Sequence, residues 1–251
     1  MIDDRDNAAF DGGCESDDAC DYALDVFALE KSYGSNPALK GLTFRIPRGK
    51  IYGLLGPNGS GKTTFIQLAA GLLTKDRGRL RIYGKEVGIE TKSIVSYLPE
   101  RNSIPEHFTV GDAIDFYEDF FSDFDRALAE DMLDSLLLKK SQKIKTLSKG
   151  MKEKVQLVMV MARRAELYLL DEPISGVDPA TRDYILETGM RCFSPNSTVI
   201  ISTHLISDIE KIMDGFIFVK DGRVYCIDTP AALRERRGIS VDEYFREVFR
   251  C

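Results

Sequence analysis

The sequence predicts an α/β fold that carries a small antiparallel sheet and a helical insert. Three observations along its 251 residues point there. Short apolar runs alternate with helical ones from about Val26 onward. One apolar run ends in glycine and opens directly into a helical stretch. Between Val110 and Ala165 the pattern is helical throughout. The 43% hydrophobic content supports a real core, and no run of 18 apolar residues occurs, so no membrane span is expected.

The N-terminal stretch differs in kind. Residues 1–25 hold nine acids and one base, while the whole chain carries a net charge of -6. The rest is therefore slightly positive and near neutral, which gives no footprint of a nucleic-acid binder. Residues 1–24 are too poor in apolar side chains to fold alone and read as a disordered acidic tail. They lack a basic region followed by an apolar run, so no secretory signal is expected. The five cysteines (Cys14, Cys20, Cys192, Cys226, Cys251) match no zinc spacing, and their odd number argues against a disulfide framework.

In chain order, FALEKSY and LTFRIPRGK read as antiparallel strands, with Gly49 and Lys50 at a turn. IYGLLG is a short apolar strand running into glycine, and TTFIQLAAGLL is its following helix. RLRIYGKEV and IVSYLP are two more strand candidates. In the helical region Ile114, Tyr117 and Phe121 share one stripe; Phe116, Phe120 and Phe124 lie on an adjacent one. LYLLDEP and TVIISTH are buried strands, and FIFVKDGRVYCI is a hairpin turning at Asp221-Gly222. PAALRERRGISVDEYFREVFR reads as two short terminal helices.

The chemistry begins at GPNGSGKTT, Gly56 to Thr64. The spacing G-x-x-x-x-G-K-[ST], with a strand before and a helix after, is that of a phosphate-binding P-loop. Across Gly56, Pro57, Asn58, Gly59, Ser60 and Gly61, the glycines let the loop's backbone N–H groups, all but that of Pro57, which has none, converge on phosphate oxygens. Lys62 adds a point charge toward the β/γ-phosphates, Thr63 can ligate Mg²⁺, and Thr64 completes the motif. LYLLDEP carries Asp171 and Glu172 to the end of its strand, where open parallel sheets bind ligands. Asp171 is the better metal partner and Glu172 the better general base. His204 ends TVIISTH and is expected at the same sheet edge. TLSKGM reads as a helix start with free N–H groups and a serine, a second place for an anion.

The order GPNGSGKTT, LSKGM, LYLLDEP, SGVD, STH resembles the nucleotide-binding subunit of ABC transporters, over about residues 25–230. The resemblance implies a P-loop NTPase (RecA-like) core, an antiparallel β subdomain, a helical insert at about 105–165 and a C-terminal extension at 231–251. It implies a head-to-tail dimer, homo- or heterodimeric, with ATP and Mg²⁺ between two ATPase subunits. Ser148 and Gly150 of one subunit would then touch the γ-phosphate held by the other, which explains the second anion site. It further implies that Tyr33, in KSYGSN, stacks on adenine. SGVD (Ser175 to Asp178) would contact the opposite subunit, and His204 would be the switch histidine. The expected partner is a separate integral membrane permease, which places the chain at the cytoplasmic face of the cell membrane.

Two positions depart from the family pattern. Glu100 in SYLPERN stands where the family usually has Gln; it can still ligate Mg²⁺, but its charge repels a γ-phosphate. LSKGM replaces LSGGQ, so Lys149 adds positive charge and Met151 loses a side-chain donor. Glu100 and FYEDFFSDFD are similar to a bacterial subgroup that works with ABC-2-like permeases, which leans toward export. The alternatives are a single-cassette ABC ATPase outside transport, as in iron–sulfur assembly, and a regulator with negligible turnover. A P-loop GTPase would need a guanine-reading NKxD, which is absent. The aromatic stripe reads either as core packing or as part of a groove for a permease helix, in which case part of it is exposed.

Overall fold

The computed structural model describes residues 21–173, 193–194 and 196–249. Strands β1 (Tyr22–Tyr33) and β2 (Asn36–Pro47) form a long antiparallel pair. The strand starts inside the segment read as tail: Ala23 and Leu24 are fully buried, and Leu24 faces Ile46 and Ile82. The acids on either side mask three residues of strand, Tyr22 to Leu24. RLRIYGKEV, expected as one strand, is two. Strand β4 (Arg77–Ile82) turns back into β5 (Lys85–Glu86). Tyr83 (φ 49°) and Gly84 (φ 79°) both lie in the left-handed region, the requirement of a two-residue hairpin turn. The order in this sheet is β2-β1-β4-β5.

The second sheet has the order β10-β9-β3-β8-β7-β6. Its members are β3 (Ile51–Leu55), β6 (Val95–Leu98), β7 (Leu167–Asp171), β8 (Thr198–Ser202), β9 (Gly215–Lys220) and β10 (Arg223–Asp228). All pair parallel except β10, which returns antiparallel along the edge through Asp221-Gly222. The central strands are apolar on both faces, as parallel strands covered on both sides must be. Leu167, Leu169 and Ile200 face a core shared with helix α1 (Lys62–Ala69) and the antiparallel sheet. Tyr168, Leu170, Val199 and Ile201 face the other way, into a core shared with the helical insert and the C-terminal helices. The short helix α2 (Ile89–Ile94) carries no signal in the sequence.

Three helices build the insert: α3 (Val110–Phe120), α4 (Arg126–Ser135) and α5 (Lys149–Met161), capped by Thr109, Asp125 and Ser148. Arg163, 4% exposed, bolts it to the parallel sheet. Its guanidinium donates to both Asp123 carboxylate oxygens at 3.0 and 2.9 Å, to Val95 O at 2.7 Å and to Ser93 O at 3.0 Å. The ring of Phe121 lies 4.0 Å from it. The aromatic stripe divides. Ile114 is buried and Tyr117 packs on the core, whereas Phe116 and Phe120 stack on each other at 5.0 Å and stay 43% and 70% exposed. Phe124 lies beyond the helix, set by a bridge to Arg163 rather than by helical spacing. After β8 come α6 (Ile206–Ile209), α7 (Pro230–Arg237) and α8 (Val241–Phe249). Among the described residues no helix is long and apolar enough to cross a membrane.

Candidate functional site

Strands β3, β6, β7 and β8 end at one edge of the parallel sheet, and each delivers a side chain named above. Together these line a cleft of about 570 Å³: Asn58, Gly59, Gly61, Lys62, Thr63 and Thr64 after β3, Glu100 after β6, Asp171 and Glu172 at β7, His204 after β8. Ala38 of β2 closes one side. Gly56, Pro57 and Ser60 lie outside this lining and shape the loop from behind. A Cβ on Gly56 would come within 2.3 Å of Val219 O, so only glycine fits there. Gly61 has φ 107°, and its Cβ would meet Ala38 O at 2.8 Å. The Ser60 N–H donates to Pro57 O at 3.2 Å, and its carbonyl accepts from Gly222 N–H at 3.0 Å.

Lys62 is buried and folds its ammonium back over the loop, donating to Gly56 O at 2.7 Å and Pro57 O at 3.2 Å. Burial lowers its pKa; Glu172, Asp171 and Glu100 oppose that shift. Asp171 moves the other way. Burial raises its pKa, the Ser202 and Thr63 hydroxyls restrain the rise, and the charge of Glu100 adds to it. The Ser202 hydroxyl donates to Asp171 Oδ1. Asp171 Oδ2 is buried without a hydrogen-bond partner among the described residues, although Thr63 stands close enough to act on the carboxylate.

Glu172 takes φ 51°, a left-handed conformation uncommon for a residue with a side chain. Its N–H donates to Ser202 O at 2.9 Å, which pins that backbone. Its Oε2 lies 2.9 Å from His204 Nδ1, and the histidine is otherwise exposed. One lysine therefore faces three carboxylates and a histidine. Those three negative charges oppose a triphosphate, and a cation between them would offset the repulsion. The unpartnered Oδ2 of Asp171, in a lining that also holds Thr63, suits a hard oxygen-seeking ion that keeps most of its shell for phosphate and water. Among the described residues no group of three or more acidic, histidine or cysteine side chains is arranged to hold a metal ion.

Three of the named residues stand apart from the cleft. Tyr33 is 51% exposed at the end of β1. Exposed Ser148 and half-buried Gly150 lie at the start of α5, where the Ser148 hydroxyl accepts from Met151 N–H at 3.3 Å. Ser175 to Asp178 lie outside the described residues. Sequence reasoning missed Ala38, a small residue in a strand with no charge or period to mark it. It also missed Ser202, although a polar residue ending the apolar run TVII was a usable signal.

A family model described as ABC transporter matches residues 39–175. The Nod factor export ATP-binding protein I of Rhizobium sp. (strain N33) is 29% identical, over 89% of this chain and 76% of its own length. The linearmycin resistance ATP-binding protein LnrL of Bacillus subtilis (strain 168) is 30% identical, over 84% of this chain and 70% of its own. A solved structure titled as the ATP binding subunit of an ABC transporter superposes with a TM-score of 0.80 at 31% identity, covering 90% of this chain and 99% of that one. On the matched family model, these relatives and the P-loop cleft, the chain belongs to the ABC transporter family, as an ATP-binding subunit and an ATPase.

Proposed function

We propose that the chain hydrolyses MgATP as one of a head-to-tail pair, and that this cycle drives export through a separate membrane permease. One observation carries the reading. Lys62, Asp171, Glu172 and His204 meet in a single cleft, while a second helix start with a serine, Ser148, points outward and has no role there. In the pair, Ser148 and Gly150 of one copy reach the γ-phosphate in the other copy's cleft, and Tyr33 stacks on adenine.

Within the cleft, the Gly56–Gly61 backbone and Lys62 bind the phosphates. Thr63, Asp171 and Glu100 would hold Mg²⁺, which when bound neutralises charge on the phosphate oxygens. Glu172 accepts the proton of the attacking water. His204, held to Glu172 at 2.9 Å, orients that carboxylate and meets the γ-phosphate. The names of the relatives, which speak of export and of resistance, support the outward direction. The exposed pair Phe116 and Phe120, with Phe108 6.0 Å from Phe116, supports a docking face for an apolar permease helix. On this reading the chain works at the inner face of the membrane, beside the permease.

Purified chain is expected to release phosphate from MgATP at steady state, and Lys62→Ala to lower kcat/KM by about a hundredfold or more. Undiminished turnover in that variant would remove the phosphate role of Lys62. Phe120→Glu is expected to leave phosphate release of the isolated chain within about twofold, because the ring is surface-exposed. The same variant should lose sedimentation with permease-bearing vesicles; unchanged sedimentation would rule out this docking face.

A further inference from the structure

Gln156 lies on α5, is 3% exposed and has so far been given no task. Its side-chain amide is spent on the loop that follows β6. Its Oε1 accepts from Ser103 N–H at 3.0 Å, and its Nε2 donates to Pro99 O at 3.2 Å and to Arg101 O at 3.4 Å. These three backbone groups bracket Glu100 on both sides. The loop has no ladder to satisfy them, so a buried side chain does. The same strip is fastened to α5 farther along by Lys152 Nζ to Glu106 Oε1 at 2.8 Å, and Ile104 is buried in the insert core. Of these ties, Gln156 is the one that reaches the Glu100 end.

The N-terminal end of α5 is the Ser148 tip. Eight residues separate it from Gln156, about 12 Å of helix at 1.5 Å per residue. The 13 residues of α5 form one continuous helix, which links that tip to the amide of Gln156 and through it to the backbone around Glu100.

We propose that Gln156 is a positioning residue for hydrolysis: it sets Glu100 in its own cleft and makes that setting depend on where the Ser148 end of α5 lies. The proposal rests on the roles given above to Glu100 and Ser148. Gln156 touches neither nucleotide nor water; it acts only through the loop. Occupation of the partner's site would thereby reach this chain's cleft through one side chain.

The test uses the full chain with MgATP. Gln156→Leu keeps the bulk and removes the polar atoms; Ser103→Pro deletes one of the three bonds from the loop, leaving α5 untouched. Gln156→Leu is expected to lower kcat about tenfold with KM within about threefold, and Ser103→Pro to do so less steeply. The Ser103 amide of Gln156→Leu should exchange with solvent about tenfold faster while the amides of β7 keep their protection. In a Glu100→Ala background the Gln156→Leu change should cost nothing more, as expected for residues that act in series. Wild-type kcat in both single variants would overturn the proposal. So would a full further loss in the Glu100→Ala background, or a matched loss of β7 protection, since either marks a structural role alone. If Glu100→Ala itself turns over normally, the role of Glu100 fails first, and that result is separable because the Ser103 exchange still reports the tie.

Discussion

Glu172→Gln is expected to bind ATP at close to wild-type affinity, to release phosphate about a thousandfold more slowly, and to accumulate as an ATP-bound dimer. The size follows from what the substitution removes. General-base catalysis contributes roughly a hundred- to ten-thousandfold, and a glutamine amide cannot take a proton from water. The rest of the site is preserved. The two side chains are isosteric, the left-handed backbone is fixed by Glu172 N–H to Ser202 O at 2.9 Å, and Lys62 keeps its bonds to the loop carbonyls. Nucleotide therefore still enters, and with hydrolysis blocked the shared anion contact persists. Single-turnover kinetics and analytical ultracentrifugation with ATP measure the two halves separately. Ordinary turnover would remove the base assignment. A sedimenting monomer at every concentration, nucleotide bound, would remove the two-copy clamp.

The largest effect on stability is expected at Arg163→Leu. The guanidinium holds Asp123 through two bonds and caps two carbonyls of the β6 region at the same time. Leucine fills part of the volume but leaves a carboxylate and two carbonyls without donors. Breaking a buried pair by removing one partner costs about 3–5 kcal/mol. For a chain of this size that corresponds to a fall in Tm of roughly 10 °C. Calorimetry of the two proteins checks it, and a shift under about 1 kcal/mol would show that water replaces the lost donors at little cost. Because Arg163 joins the insert to the parallel sheet, the variant should also lose cooperativity, with α3 and α4 exchanging ahead of β7 and β8.

Most of the cleft was legible because each contribution is local. A P-loop is one contiguous stretch, and Asp171, Glu172 and His204 each end an apolar run whose length announces a strand. What stayed hidden depends on distant pairing. Nothing in MARR marks Arg163, rather than Arg164, as the buried one; that follows from Asp123 and from the carbonyls of Ser93 and Val95. Gln156 reads as a polar interruption in an apolar helix until the loop after β6 is laid against it. The hairpin at Tyr83-Gly84 was missed for another reason: tyrosine favours strands, and here it occupies a left-handed turn position that its type alone does not foretell. The start of β1 at Tyr22 was blurred by the acids around it.

The strand order has a consequence for how the chain is made. Strand β3, which presents the P-loop, is flanked by β8 and β9, so Ile51 pairs with Val199 and Tyr52 with Gly215. The antiparallel sheet draws only on residues up to Glu86 and is complete early in translation. At 5–20 residues per second, β3 then waits on the order of ten seconds for neighbours to leave the ribosome. Through that interval an apolar segment stands open at the centre of the nascent protein, and late-synthesised β8 and β9 decide whether the P-loop is ever shaped.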